Sequence, residues 1–484
     1  MASTAGQTLD VASFMGGLKF TSFHRRILIL SCLVTFFDGL DFSLVAYTLP
    51  YIRDDLALTA AEMGDVSMAG FLGQMIGSLV GSYIADIVGR RPVIIVSTLI
   101  AAVMTFITGF AGSTEMLFIL RLLSGLAIGG LLAPIWSLNI ESMPKAMRAT
   151  SVTIIMLGFS TGGAAAGQIA NVFASPTGPY AALHAGGGLF SAMPDASWHM
   201  VFFFCGLLTG VLALILMGAL PESARWMVAK GRPAAEITPM LNRFDPNFEG
   251  AQYTAFELSD ERKTSQSESP LAKFKELFHG WLVWITPLIW VGYFFSTFGM
   301  YLKSSFGVLF LEELDLSVET ATNLSSISAL AGAIAGVFLL MFTEKRGPAW
   351  IAIAPAAAIP FLLLLGFGIV LSGPLFIPVI LSGAILVGAG HAAVISITSI
   401  FYPSAVRSTG GGWASFMAKF AGVAAPVVGA RLFLGSDAKV LAGYTFSAAC
   451  LGAVVICIIA LSHFAKKLKE DEGVVTKAVA QPAE

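Results

Sequence analysis

Charge is what this chain has least of. Asp, Glu, Lys and Arg make up 12% of its 484 residues, against 56% hydrophobic, where soluble domains carry about a quarter charged. That balance excludes a water-soluble globule and leaves a polytopic membrane protein lodged in a lipid bilayer. A formal net charge of −2 leaves no basic surplus for a nucleic-acid partner. Cysteine is scarce as well. Cys32, Cys205, Cys450 and Cys457 all fall in apolar segments without CxxC or zinc-type spacing, so neither a disulfide framework nor a metal site is expected. Residues 1–23 lack a basic stretch followed by an apolar core and a small-residue cleavage site, so the first span itself is expected to direct insertion. HExxH, Walker A and DxD-type clusters are missing, and the GFSTG run, Gly158 to Gly162, falls inside an apolar span rather than at a turn, so no motif supports a membrane enzyme or a bound cofactor.

What the chain does have is a succession of long apolar runs. A helix needs about 20 mostly apolar residues to cross hydrocarbon. Twelve such segments occur, near 27–50, 66–86, 92–112, 116–141, 150–173, 198–220, 281–302, 322–343, 348–371, 376–401, 410–433 and 441–463. The expected fold is therefore an all-α membrane protein. Its parts are an N-terminal segment 1–26, a six-helix bundle 27–220, a polar linker 221–280 containing FELSDERKTSQSESP, a second six-helix bundle 281–463, and a tail 464–484. With an even number of spans, all but six of the 28 Lys and Arg residues fall on the side that carries both termini. Arg53, Lys303, Arg431 and Lys439 fall opposite, and Arg121 and Lys419 fall within spans. The positive-inside rule then puts both termini in the cytoplasm.

The two halves repeat one another. Asp86 stands three residues before Gly89 in ADIVGRRP, and Glu344 three before Gly347 in TEKRGP, an offset of 258. ESMPKAMRAT aligns with IFYPSAVRST at an offset of 259, matching Pro144 to Pro403, Arg148 to Arg407 and Thr150 to Thr409; Gly129 and Gly388, and Gly163 and Gly422, share it. Several matches at a nearly constant offset in equivalent loops mean duplication. Parallel six-helix halves are a transporter architecture, with the substrate site near the midplane between them.

These residues resemble the major facilitator superfamily over nearly the full length, and within it the aromatic acid:proton symporters. The superfamily signature after the second span, G-x-L-a-D-R-x-G-R-R/K, is met here by Ser82, Ile84, Ala85, Asp86, Ile87, Gly89, Arg90 and Arg91. Ser82 and Ile87 depart from it, the latter removing an Arg from the usual loop charge pairs. RLLSGLAIGG in the fourth span and LPESARW after the sixth are further superfamily-like pieces, and DGLD, Asp38 to Asp41, looks like the D-G-x-D of the aromatic acid symporters. The resemblance implies a proton-coupled importer of an aromatic carboxylate, of the hydroxybenzoate or lignin-derived type. It would work by alternating access in the bacterial inner membrane, as a monomer and without a cofactor.

Asp38 and Asp41 are the costliest residues in the chain, since a charge at mid-bilayer costs at least about 2.5–3.5 kcal/mol. Three residues apart, they share a helix face, and their mutual repulsion in low dielectric favours a proton on one of them. The alternatives are that they are fixed partners of buried cations, or that the helix breaks at Gly39 and they cap freed backbone. By helical rise Asp41 lies about 14 Å and Arg121 about 8 Å from the same membrane face, so the two are expected to meet. Sugar:proton members of the superfamily have a similar Asp and Arg. On that analogy Arg121 competes with a proton for Asp41; the plainer alternative is a static salt bridge.

An aromatic carboxylate needs a cation and a slot for its ring. Lys419 in the eleventh span is the candidate anchor, and His391 in the tenth a candidate ligand or second proton site. Each can equally serve helix packing. Trp290, Phe294 and Phe298 recur every four residues, with Tyr293 beside them, a face able to stack an aryl ring or simply to pack. Trp136 and Asn139 are further cavity candidates in the fourth span. On the cytoplasmic side, Asp86, Arg90, Arg91, Glu141, Glu222, Arg148, Glu344, Arg346 and Arg407 are expected to gate the halves, or merely to orient spans. The Gly- and Pro-rich loop 174–197 is either a lid or a solvated insertion. Competing functions are a proton-coupled exporter, a symporter of another small organic acid or sugar, and a membrane receptor for aromatic acids.

Overall fold

The computed structural model describes residues 7–187, 191, 194–259, 274–402 and 406–479. Twelve of its helices are long and apolar enough to cross a membrane. Helices are the natural solution there, because a helix satisfies its own backbone groups where no water can. The chain divides into two compact units, Met1–Leu56 with Ala69–Gln266, and Ala57–Met68 with Ser267–Glu484.

Six spans begin in the first half of the chain: Ser22–Leu56, Ala60–Val88, Arg90–Thr108, Thr114–Ser142, Arg148–Phe173 and Trp198–Ala219. The first span is one continuous helix through Asp38, Gly39 and Asp41, so Gly39 does not break it. Glycine is there for another reason. A Cβ on Gly39 would collide with the carbonyl of Phe159 in the fifth span, and a Cβ on Gly162 with the carbonyl of Phe36 in the first. The two backbones touch through these glycines, an approach small residues permit in membrane helix pairs.

The other six spans are Leu282–Glu312, Val318–Arg346, Ile353–Gly366, Phe376–Val394, Arg407–Phe433 and Asp437–Val479. Four depart most from the lengths expected of them, among them the twelfth, which was expected over 441–463 and runs on through most of the expected tail to Val479. The seventh runs on past residue 302 to Glu312, because the buried Phe306, Leu309 and Phe310 continue its apolar face beyond the polar Lys303–Ser305. This puts Lys303 nine residues inside the helix rather than in a loop. The ninth opens with a 3-10 turn, Pro348–Ala352, and ends near Gly368, whose φ of 68° suits glycine. The tenth stops at Val394 and a short helix, Ile397–Phe401, follows.

Duplication is visible in the backbone. Gly89 and Gly347 precede helical segments with φ of 112° and 103°. Arg148 Nε donates to the Met143 carbonyl at 3.2 Å, and Arg407 Nε to the Tyr402 carbonyl at 3.3 Å. Both pairs of positions keep the offsets of 258 and 259 read from the sequence.

Part of the linker and the N-terminal segment is folded, which hydropathy did not foretell. Strand β1, Gln7–Asp10, pairs in parallel with β2, Tyr253–Glu257. Helices Val11–Gly17, Ala224–Ala229 and Ala234–Phe244 pack with them into a pad against the first and fifth spans. Its core joins Val11, Met15, Trp226, Ile237, Leu241 and Phe244 to Ile27 and Ile155. Asp10 caps the first of these helices by accepting from Ala12 N at 3.1 Å, and accepts also from the Ser259 N–H and hydroxyl. Burial opposes its charge, but hydrogen bonds from Ser13, Ser259 and Ala12 prevail and hold its carboxyl well below the usual range. A depressed acid stabilises the fold above its unfolded value of 3.8 and loses that contribution as pH falls through the lower folded value. Asp10→Ala is expected to speed amide exchange in 7–17 and 253–257 about fivefold at neutral pH, the equivalent of about 1 kcal/mol for a lost cap. Unchanged exchange would show that the pad does not depend on it.

Candidate functional site

Inside the first unit, the first, third, fourth and sixth spans enclose a narrow cleft lined by Asp38, Asp41, Thr105, Ile128 and Thr209 among others. Arg121 Nη1 lies 3.4 Å from Asp41 Oδ1. The arginine side chain is 3% exposed and the aspartate 14%, so both charges are taken out of water. Hydroxyls complete the group. Thr105 donates to Asp41 Oδ1 at 2.6 Å, Ser124 to Oδ2 at 3.3 Å, and Thr108 accepts from Arg121 Nη2 at 2.9 Å. The guanidinium also sits 5.1 Å from the Phe202 ring centre, where the π face favours a cation. Asp38 is buried one turn earlier on the same cleft. The structure thus brings Asp41 and Arg121 together with Asp38 beside them. The three hydroxyl residues went unread in the sequence, because Ser and Thr inside an apolar run carry no distinguishing signal.

Trp136 and Asn139 lie elsewhere. Trp136 packs between two apolar clusters of the first unit. Asn139 is fully buried, and neither polar atom of its side chain meets a hydrogen-bond partner among the described residues.

The signature loop between the second and third spans forms a compact charged knot. Glu222 accepts from the backbone N–H of Arg90 at 3.0 Å and of Arg91 at 3.2 Å. Burial pushes the Glu222 carboxyl above its usual value, while N–H bonds from Ser223, Arg90 and Arg91 pull the other way. A Cβ on Gly89 would strike the same carboxylate, so glycine is required both by its φ and by that approach. Arg90 reaches Glu141 at 3.0 Å and the exposed Asp86 at 3.5 Å, and Ser223 donates to Glu141. Trp226 Nε1 donates to the Asp86 carbonyl at 3.2 Å. Arg91 instead turns to the end of the sixth span, donating to Leu220 and Met217 carbonyls at 2.8 and 2.6 Å. All these bonds lie within the first unit. Arg148 and Arg407 hold their own loops as described above.

In the second unit the aromatic stripe of the seventh span divides. Trp290 belongs to a cluster with Phe278 and Trp413, at centroid distances of 5.7 and 5.9 Å. Phe294 meets Phe298 at 5.9 Å and Phe420 at 6.2 Å. Tyr293 is core: its hydroxyl donates to the Ile395 carbonyl and lies 3.1 Å from the Thr398 hydroxyl, tying the seventh span to the end of the tenth. His391 Nδ1 lies 3.2 Å from Ser296 Oγ, and Lys419 is half-buried on the eleventh span. Arg346 stacks on Phe342 and Trp350, 5.0 and 5.6 Å from their centres, so the described contacts of this arginine are with rings. The Glu344 side chain lies outside the described residues. So does part of loop 174–197; the rest holds a short helix, Pro179–Ala185, with the Tyr180 hydroxyl bonded to the Pro194 carbonyl at 2.7 Å. Among the described residues no group of three His, Cys, Asp or Glu is placed to hold a metal.

Twelve spanning helices, a duplicated backbone and an ion pair sealed inside a helix bundle are the parts of a multi-pass membrane transporter. The chain belongs to the Major Facilitator Superfamily, whose family profile matches residues 31–426, and it is accordingly a transporter, not an enzyme. A gallate transporter of Pseudomonas putida is 26% identical over 459 residues, 94% of this chain and 95% of its own length. The 4-hydroxybenzoate transporter PcaK of Pseudomonas aeruginosa is 27% identical over 464 residues, covering 95% and 98%. Among solved structures, a bacterial homologue of the human lysosomal transporter Spinster superposes with a TM-score of 0.65 at 17% identity, covering 92% of this chain and 97% of that one. The xylose transporter XylE from E. coli gives 0.65 at 15% identity, covering 90% and 98%.

Proposed function

We propose that this protein imports an aromatic carboxylate across the bacterial inner membrane together with protons, by alternating access, with both termini in the cytoplasm. The relatives' names supply the substrate class. The observation that carries the coupling is the buried Asp41–Arg121 pair with its three hydroxyls. Removing one partner of a buried pair leaves an uncompensated charge, a state costing about 3–5 kcal/mol, and binding a hydrogen ion relieves it. Arg121 and a proton thus compete for Asp41, and a motion that withdraws the guanidinium loads the acid. Lys419 and His391 are the candidate cations for the substrate carboxylate, and Phe294 and Phe298 the ring surface.

Charge arithmetic sharpens the reading. One proton with one monoanion moves no net charge, so a membrane potential worth about 2.3 kcal/mol per charge per 100 mV would be wasted. Use of that potential requires a second proton, for which Asp38 and His391 are the available sites. The test is labelled gallate and 4-hydroxybenzoate counterflow in proteoliposomes, with current recorded on the same preparation. Exchange of the aromatic acids, and inward positive current during net uptake driven by a pH gradient, are the expected results. Absence of exchange for both compounds overturns the substrate class, and net uptake driven by the pH gradient without current overturns the two-proton stoichiometry.

A further inference from the structure

The second unit holds an internal cleft that the transport reading leaves unused. It is bounded by the seventh, eighth, ninth, tenth and twelfth spans, and the room inside it is a cavity of about 60 Å³. Leu302, Leu362, Ile380 and Val387 give it apolar walls, and Lys303 is the one charged residue among those lining it. Lys303 lies nine residues before the end of its helix, about 14 Å into the span by helical rise. Its ammonium donates to the Ala384 carbonyl at 3.0 Å. An ammonium has three N–H donors, and no lining residue is a carboxylate.

The repeat shows how unusual this is. The first unit's cleft lies between the first, third, fourth and sixth spans and contains both members of an ion pair. At the offset of 259, Asp41 falls on Met300 and Arg121 on Ile380. The second unit carries neither charge at the matching positions and has a lysine one turn from Met300. Beside only the hydroxyls of Ser325, Ser328, Tyr444 and Ser447, and with no carboxylate among the described residues lining the cleft, a buried cation is costly, and an anion with an apolar body offsets that cost while filling the space.

We propose that this cleft binds an aryl or alkyl monocarboxylate, its carboxylate on the Lys303 ammonium and its hydrocarbon against Leu302, Leu362, Ile380 and Val387. The site shares no residue with the Asp38–Asp41–Arg121 group, nor with Lys419 or His391, and does not rest on the transport reading. An inorganic anion would leave the apolar walls uncovered, and a neutral aromatic would leave the ammonium uncovered.

Photolabelling of the full chain in nanodiscs with 4-azidobenzoate, mapped by mass spectrometry, tests the proposal. Label is expected on peptides containing Leu302–Phe310 and Ile380–Val387. Benzoate and octanoate should compete with it, and inorganic phosphate and benzyl alcohol should not. Lys303→Met should reduce this labelling about tenfold or more, the worth of a hydrogen bond to a charged group. Gly299→Leu keeps the lysine but projects into the cleft, where a Cβ at Gly299 meets nothing within 4 Å. It should abolish the labelling while the elution profile of the protein stays that of wild type, and it decides the matter if Lys303→Met fails to fold. Asp41→Asn should leave the labelling intact, which separates this site from the transport reading. Unreduced labelling in either cleft variant, equal competition by benzyl alcohol, or label confined to other peptides overturns the proposal.

Discussion

Asp41→Asn protein is expected to exchange labelled aromatic acid across a vesicle membrane and yet to accumulate none. Asn preserves the shape; its amide oxygen can still accept from Thr105 and its amide nitrogen can donate to the Ser124 hydroxyl, which keeps the cleft together although Arg121 loses its counter-charge. What it cannot do is take up and release a proton. Under a gradient of one pH unit, a transporter coupled to one proton concentrates its substrate up to about tenfold, and the variant should stop at equal concentrations. Asp38→Asn, one turn away in the same cleft, separates the second proton from the first. If Asp38 is that second site, the variant should keep accumulation driven by pH and lose the part driven by voltage. Radiolabelled uptake under imposed pH and potassium-diffusion gradients measures both. Undiminished concentrative uptake by protein with Asn at both positions overturns proton coupling through this helix.

The second large effect concerns folding. Gly39→Leu is expected to force the first and fifth spans apart, because the added side chain must displace the Phe159 carbonyl of the facing backbone. A flexible side chain can yield to such an intrusion, whereas a carbonyl fixed in a helix cannot. Overpacking a close contact costs about 1–3 kcal/mol and occasionally more, and with backbone on both sides the upper end is expected. The readout is the yield of monodisperse protein and its thermal unfolding. Gly162→Leu should do the same through the Phe36 carbonyl, and Gly112→Ala, where a Cβ meets nothing within 4 Å, should change neither. Wild-type stability in Gly39→Leu would show that the two helices are not held at that distance.

Much of this was legible before any coordinates. The twelve apolar runs announce twelve spans because hydrocarbon tolerates little else. The meeting of Asp41 with Arg121 follows from counting helical rise on two elements that start from the same membrane face. The glycine between the two acids was legible as special but not for its real use, since only the facing helix reveals that a carbonyl occupies the space. Lys303 was misplaced in a loop. Hydropathy averaged over Lys303, Ser304 and Ser305 signals an end of span, yet the buried phenylalanines that follow keep the helix going. The four-residue aromatic stripe was real as periodicity, but a helix this long meets different neighbours along its length, so Trp290 packs with Phe278 and Trp413 while Phe294 and Phe298 stay together. The folded pad escaped notice because its strands and helices, of 4 to 11 residues, are too short to register against the spans' runs of about 20 residues, and their apolar residues meet only when the N-terminal segment and linker come together.

The paired bends at Gly89 and Gly347, and the paired arginine-to-carbonyl clasps at Arg148 and Arg407, read as the history of a copied gene. The joints are alike and the contents differ. One copy holds an acid and a guanidinium at its centre, the other has methionine and isoleucine there and an amine a turn away. Sameness in such a molecule marks what must bend, and asymmetry marks what each copy has since been recruited to do.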